Sequence, residues 1–463
     1  MKIPFIGQAY SNRSIQVANQ ICINWYPEVE QNDARNVVTL QTCSGIELFA
    51  EISSGKEVRG LLFSEYDQVL YAVIDDVFYV FEKDGSYSSK GSVDGEGIVS
   101  IAENGASQVA ISTGEGYWVY DDTGLSKVAD AGAVSDVAFQ DDYIVFTRTD
   151  TGRFGITDIN DARSINPLDE AATGANPDKL VGLVQVERRI WLFGTDSIEI
   201  WYNSGNAGFP FTRVDGGSSN GFGLAGKDAK VLQDSVVYWL SNDGRIYYSN
   251  GYTPQRASHQ GIENSIRTYD DISDCEASQW TENGHKFIAF SFPSAGSTWV
   301  FDSTTGMWHE RSSGLKDGVW RARLATRAWG FNLVGDRESG KLGILSLDLF
   351  TEYDDIMVAR RKTPVVHADQ NVFFTDRLEI VMEVGQTDRQ GFNPKASLRW
   401  SDDGGLTWGN WLNQDIGGIG DYRERLVWYR LGQAQNRVYD LRITDNVRRT
   451  LIDCVIEGEV GYI

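Results

Sequence analysis

The sequence predicts an all-β protein: a β-propeller of about six or seven blades followed by a β-sandwich. Two observations carry this. The chain breaks into short runs of four to seven residues, rich in Val, Leu, Phe and Tyr and bounded by Gly, Asp or Ser. Branched and aromatic side chains suit a pleated, half-buried surface, so such runs read as antiparallel strands joined by tight turns. The runs also recur in groups of three or four with a period of about 35–50 residues, the spacing of propeller blades. No long apolar periodicity of helical type interrupts them, and aromatic residues make up 12% of the chain.

Residues 1–57 read as an arm with an edge strand. Asn19–Glu28 has an apolar centre and a Pro stop, a polar loop covers 28–35, and 37–42 is strand-like. An isolated strand needs a partner edge. The expected partner is the outer edge of a blade or a neighbouring subunit.

Residues 58–350 carry the propeller. Val58–Ser92 holds V-R-G-L-L-F-S, Q-V-L-Y-A-V and D-D-V-F-Y-V-F, then a polar return. Further units start near Val99, Val134, Leu180, Ala229 and Glu276, and a weaker seventh runs from Trp320 to Leu347. One such sheet cannot bury both faces alone. Two stacked sandwiches would also accommodate this many strands; the repeated unit favours a ring, which leaves only short edges.

Residues 351–370 read as a charged linker holding the most basic run, Ala359-Arg360-Arg361-Lys362, expected as a solvated hinge rather than a phosphate site. Residues 371–463 then change pattern. Arg377–Val384 alternates strictly, and runs at 396–400, 425–430, 438–444 and 451–456 complete a compact sandwich.

The net charge of −23 argues against phosphate-backbone binding as the main activity. No apolar run reaches the length of a membrane span, and Met1–Gly7 lacks the apolar core of a signal peptide. Cys22, Cys43, Cys275 and Cys454 show neither metal spacing nor disulfide density, so reduced thiols in a cytosol-made protein are expected.

Candidate chemistry is sparse. Gly221-Phe222-Gly223-Leu224-Ala225-Gly226 matches G-x-G-x-x-G, but strands follow it where a dinucleotide site needs a helix. A loop between blades is expected. His259, His285, His309 and His367 are well separated, and no metal, cofactor or catalytic constellation is evident. Ser401-Asp402-Asp403-Gly404-Gly405-Leu406-Thr407-Trp408 fits S-x-D-x-G-x-T-W and resembles the Asp-box of sialidases. There Ser401 and Asp403 would bond the turn backbone, Gly405 would supply positive φ and Trp408 would pack beneath. That work is structural, and a sialidase would carry several boxes.

Two stretches carry a resemblance. Asn19–Glu28 (N-Q-I-C-I-N-W-Y-P-E), and Asn242-Asp243-Gly244-Arg245-Ile246-Tyr247 followed by Gly251–His259, resemble motifs of the packaged-DNA stabilisation or tail accessory proteins of short-tailed bacteriophages. The resemblance implies a tail hub: a homo-hexameric ring, made in the host cytoplasm and added to the virion tail after packaging. It would bind the portal–adaptor proteins, help retain DNA and carry tail needle or spike components. It implies no catalytic, cofactor or metal residue, and gives His259 and Arg256 no site role. Acidity then suits a conduit that repels DNA rather than binding it. The competing reading is a carbohydrate-binding or sialidase-type propeller of a phage tail, with Trp299 and Trp308 stacking on sugars.

Overall fold

Blade one shows how the local sequence makes a sheet. Its strands are Val58–Ser64, Val69–Ile74, Val77–Phe81 and Tyr87–Ser92, paired antiparallel in that order. The second strand is almost wholly buried. The tight turns at its ends put Gln68 and Asp75 at φ 55° and 54°, where a polar residue is tolerated better than a branched one. Tyr71 and Phe78 stack at 5.7 Å, and Phe78 meets Tyr120 of the next blade at 5.3 Å. The core therefore lies between blades. Tyr71, Val73 and Phe78 of blade one pack with Val109, Ile111 and Trp118 of blade two. Each such side chain, fully buried, stabilises by about 1.5–3 kcal/mol.

This computed structural model describes residues 3–11, 19–29, 38–53, 56–174, 176–369, 371–387 and 390–461. Among them the unit occurs seven times, with innermost strands at Val58–Ser64, Ser100–Glu103, Val134–Gln140, Leu180–Val186, Lys230–Gln233, Glu276–Glu282 and Ala322–Ala328. Neighbouring inner strands touch in sequence, and the seventh touches the first, so the sheets form a closed ring. Charged side chains fill its axis. Lys227 of blade five donates to the Ile98 carbonyl beside blade two at 2.8 Å, although these blades are not neighbours. Lys230 pairs with Asp136 at 2.8 Å, and Arg323 with Glu57 at 2.6 Å and Glu276 at 2.9 Å.

The described strands within the first 51 residues do not form an unpaired arm. Gly45–Glu51 pairs with Lys341–Ser346 and supplies the outer strand of blade seven. Ile21–Ile23 lies along the outer strand of blade six, Met307–Glu310. Trp25–Val29 and Val38–Thr42 join the sandwich, where Leu40 pairs with Leu451. The expected strand over 37–42 thus already has both neighbours within its own chain. Residue 37 and most of the expected polar loop, from residue 30 on, lie outside the described residues.

Residues 351–369 do not behave as a solvated hinge either. Ala359–Lys362 is a strand between Ile21–Ile23 and Asn436–Ile443. Arg361 is fully buried and Lys362 is 7% exposed. One hydrogen-bonded sheet therefore runs from the inner strand of blade six, through Ile21–Ile23 and Ala359–Lys362, to Asn436–Ile443, Lys395–Ser401 and Leu412–Asp415. The facing sheet of the sandwich is Trp25–Val29, Val38–Thr42, Leu451–Val460, Phe373–Met382 and Leu426–Ala434. Leu398, Tyr439 and Leu441 pack against Leu378, Trp428 and Cys454 between them, in one core that also takes in Trp239, Trp308 and other residues of blades four to six.

Candidate functional site

The motif N-Q-I-C-I-N-W-Y-P-E sits at the seam between propeller and sandwich. Asn24 is fully buried and takes φ 56°. Its side-chain amide donates to the carbonyls of Ser312 at 2.8 Å and Val358 at 2.7 Å, and its backbone N–H to Glu310 at 2.9 Å. Its own backbone carbonyl accepts from Cys43 N–H at 3.2 Å. Asn combines a tolerated left-handed backbone with two donors and an acceptor on a short side chain. Trp25 beside it is buried and donates its indole N–H to the Arg449 carbonyl at 2.7 Å.

Three buried arginines complete the seam. Arg361 donates to the carbonyls of Phe5 at 2.6 Å and Ile21 at 3.0 Å and to Gln20 Oε1 at 2.8 Å. Arg449 donates to the carbonyls of Met357 at 2.8 Å, Ile443 at 3.1 Å and Phe350 at 3.1 Å. Arg311 donates to the Ser44 carbonyl at 2.9 Å and lies 4.2 Å over the Trp320 ring. Burial lowers the pKa of Arg361, and brings that of Arg449 down to about 10. Their hydrogen bonds to main-chain carbonyls replace the water that burial removes. These arginines carried no sequence signal. A basic run reads as solvated unless the pairing of its strand is known.

The second motif block builds blade five and its exit. Asp243 accepts from Arg245 N–H at 3.0 Å and Tyr247 Oη at 2.9 Å. Glu263, 1% exposed, accepts from Arg256 at 2.5 Å and Ser258 at 2.9 Å. His259 Nδ1 caps helix Gln260–Ile266 by accepting from Gly261 N–H at 3.0 Å, and its ring stacks on Tyr10 at 5.2 Å. Burial lowers its pKa. His285 bonds Asp302 at 2.7 Å and lies 3.5 Å from Glu28 of the sandwich sheet, while His309 is buried beside Phe287. His367 is exposed on a separate strand. Among the described residues no group of three or more His, Cys, Asp or Glu could hold a metal ion. All four cysteines are free and buried, with Cys22 pushed up to about 12 and Cys43 to about 11 by desolvation.

The Asp-box forms the turn its residues predict. Ser401 Oγ donates to Asp403 at 2.6 Å and accepts from Gly405 N–H at 2.8 Å. Asp403 also accepts from the N–H groups of Leu406 and Thr407, both at 2.9 Å, and these bonds hold its pKa far below the usual range. Gly404 and Gly405 have φ 77° and 104°. Trp408 donates to the Gly405 carbonyl at 3.0 Å but stays only half-buried, with Arg399 4.6 Å over its ring. It packs against a guanidinium on the sheet surface rather than in the core. The G-x-G-x-x-G loop is no open cradle: a Cβ on Gly223 or Gly226 would strike the backbone of Thr195 or Ser273. Trp299 and Trp308 are 3% and 1% exposed. Burial among blade-five and blade-six residues removes both from any sugar-stacking surface.

Comparison with known proteins follows the same division. Residues 1–349 match the model described as "Bacteriophage P22 Gp10, beta-propeller", and 359–459 the one described as "Bacteriophage P22 Gp10, beta-sandwich". The chain is 22% identical over 427 residues to "Tail hub protein gp10" of Salmonella phage P22, covering 87% of this chain and 88% of that one. Among solved structures, the computationally designed Ika8 protein is 15% identical with a TM-score of 0.40, over 73% of this chain and 99% of that chain. A chain of the Mitotic Checkpoint Complex is 14% identical with a TM-score of 0.44, over 69% and 98%. Likenesses this distant carry no argument about role. With both its propeller and its sandwich matched in order, the chain belongs to the bacteriophage P22 Gp10 family.

Proposed function

We propose that this chain is a structural tail hub of a phage virion. It seats on the portal–adaptor assembly after genome packaging, as a homo-hexamer, helps keep DNA in the head and carries needle or spike components. The observation that carries this reading is the family match through both domains of one chain. The seam supports it physically. A hub transmits load between the parts above and below it, and a hydrogen-bonded sheet that runs from propeller into sandwich offers no hinge. The charge distribution supports it too. Residues 1–358 hold 28 Lys and Arg against 50 Asp and Glu, whereas 359–463 hold 14 against 15. A ring of such propellers repels packaged DNA instead of gripping it. No catalytic step enters this role.

The test is a titration of the purified protein against a portal–adaptor complex and, separately, against duplex DNA at physiological salt. Tight adaptor binding with weak DNA binding is expected, and virions lacking the protein should package DNA and then leak it. Sub-micromolar DNA binding without adaptor binding would overturn the reading.

A further inference from the structure

We propose that the solvent face of the sandwich sheet around Arg399 and Arg442, with the buried Lys362 beneath it, is a docking surface for a carboxylate-rich protein segment. The face is built by register. Arg442 lies directly opposite Arg360 on one neighbouring strand and Ser397 on the other. Asp440, two residues earlier on the same side, lies opposite Lys362 and Arg399. Opposed residues on paired strands sit about 5 Å apart, which places the four cations within roughly 10 Å of one another.

Their donors are unequally used. Asp440, fully buried, takes Arg360 at 2.9 Å and Arg399 at 2.8 Å, and Asp317 also pairs with Arg360. The Arg442 side chain makes no hydrogen bond or ion pair with any described residue, and its Nε is buried without a partner. The side chain of Lys362, a residue 7% exposed, likewise has no hydrogen-bond or ion-pair partner among the described residues. Both instead face aromatic rings. Arg442 lies 4.5 Å over Trp411, Arg399 lies 4.3 Å over Trp411 and 4.6 Å over Trp408, and the Lys362 ammonium lies 5.6 Å over Trp408.

Stacking uses the face of a guanidinium and leaves its in-plane N–H donors free, so the ladder fixes Arg442 in place without satisfying it. A buried donor with no partner is costly, and the planar fork matches a carboxylate. Leu406, 71% exposed, lies on the Asp-box itself. Anchoring Trp and Arg beside exposed apolar groups is how protein interfaces concentrate binding energy.

Charge selects the partner class. Four cations against two carboxylates leave a local excess of about two, too few for a long polyanion that must also cross a surface as acidic as the rest of this chain. Screening confines a short acidic segment to its own vicinity, about 8 Å at physiological salt, so it experiences the patch and not the propeller. This inference gives the tail-hub reading a partner chemistry and rests on it only in expecting a protein partner.

The experiment is a fluorescence titration of the intact protein with a labelled glutamate-rich peptide, alongside inorganic phosphate and a duplex oligonucleotide. Saturable peptide binding that weakens with salt is expected, with at least a tenfold loss in Lys362→Gln/Arg442→Gln and a smaller loss in Arg442→Lys, which keeps the charge but not the fork. Thermal melting checks that each variant is folded. If the double variant does not fold, Arg442→Lys against the parent decides. Unchanged peptide affinity in the folded variants, or equal competition by duplex or by phosphate, would overturn the docking surface. The adaptor titration would still stand or fall separately.

Discussion

Blade one and blade seven have the same four-stranded plan but are assembled differently. Blade one takes all its strands from Val58 to Ser92, each paired with its neighbour in sequence. Blade seven takes three from Ala322–Ser346 and its outermost from Gly45–Glu51, almost 300 residues earlier. Blade six is likewise extended by Ile21–Ile23. Among the described residues, blades one to five end in outer strands with no further partner strand, whereas blades six and seven end in the seam. The difference teaches where the chain's non-local constraint is concentrated: ring closure and domain attachment use the described strands of 21–29 and 38–51. Loop-closure entropy must be met before such contacts stabilise anything, so the seam should form late and fail first.

The sharpest break in this comparison is a chain beginning at residue 57. It removes the closing strand of blade seven and two strands of the sandwich sheet, and leaves Arg361 and Arg449 without several of their surroundings. We expect no cooperative unfolding of the sandwich, with limited proteolysis cutting 371–461 while fragments from blades one to five persist. A protected sandwich in that chain would show that the seam is not needed for folding.

Next in size is Arg361→Met. Similar volume is retained, but the carbonyls of Phe5 and Ile21 lose their donor in a dry site. Leaving buried carbonyl acceptors without a donor costs about 1–3 kcal/mol, read as a lower denaturant midpoint. Tyr87→Ser on the wholly exposed outer strand of blade one should stay within about 0.5 kcal/mol.

Legibility in sequence followed the same contrast. Six blade starts were visible because each blade is a local repeat of apolar runs and turns, and the seventh was weak because its outer strand lies elsewhere in the chain. The Asp-box was legible because every bond in it spans four residues or fewer. The strand 359–362 was not. Its composition is that of a solvated run, and only its place between Ile21–Ile23 and Asn436–Ile443 buries Arg361. Leu412–Asp415 escaped for a similar reason: an exposed edge strand has no alternation to read. The Asn24 motif was recognisable as a resemblance, but its work, holding Ser312 and Val358 to the same side chain, depends on contacts about 290 to 330 residues away.

His309 gives the seam one acid-sensitive contribution. His309 is buried, and desolvation, then the Arg311 charge, lowers its pKa from 6.5 to about 3. A depressed folded value means its stabilisation is full above pH 6.5 and is lost progressively as pH falls from 6.5 towards 3. His285 has the opposite sign: its bond to Asp302 raises its pKa, so its contribution is full below 6.5 and declines as pH rises. The His309 contribution alone should fall by about 2–3 kcal/mol between pH 6.5 and 4.5, at about 1.4 kcal/mol per unit, against the neighbouring buried Glu310, pushed up to about 8, whose contribution grows as pH falls through the same window. In His309→Phe that part of the pH dependence should disappear, as measured by urea midpoints at both pH values. An unchanged slope would assign the acid sensitivity to other groups.

A smaller effect than at the buried seam belongs to the Asp-box. A core tryptophan cut to alanine costs about 3–5 kcal/mol. Trp408 is half-buried and packs against Arg399 and Lys362 on the sheet surface. Trp408→Ala should therefore cost only about 1–2 kcal/mol, from lost cation–π contact and partial burial. Trp25→Ala, fully buried at the seam, should cost at least twice as much. Thermal denaturation of the two variants side by side measures the ratio, and an assay on sialosides should detect no cleavage by the parent or either variant. Equal destabilisation would mean that the surface ladder carries as much of the sandwich's stability as the seam does. That result would locate the attachment of the two domains in the whole extended sheet and not in the strands around Asn24.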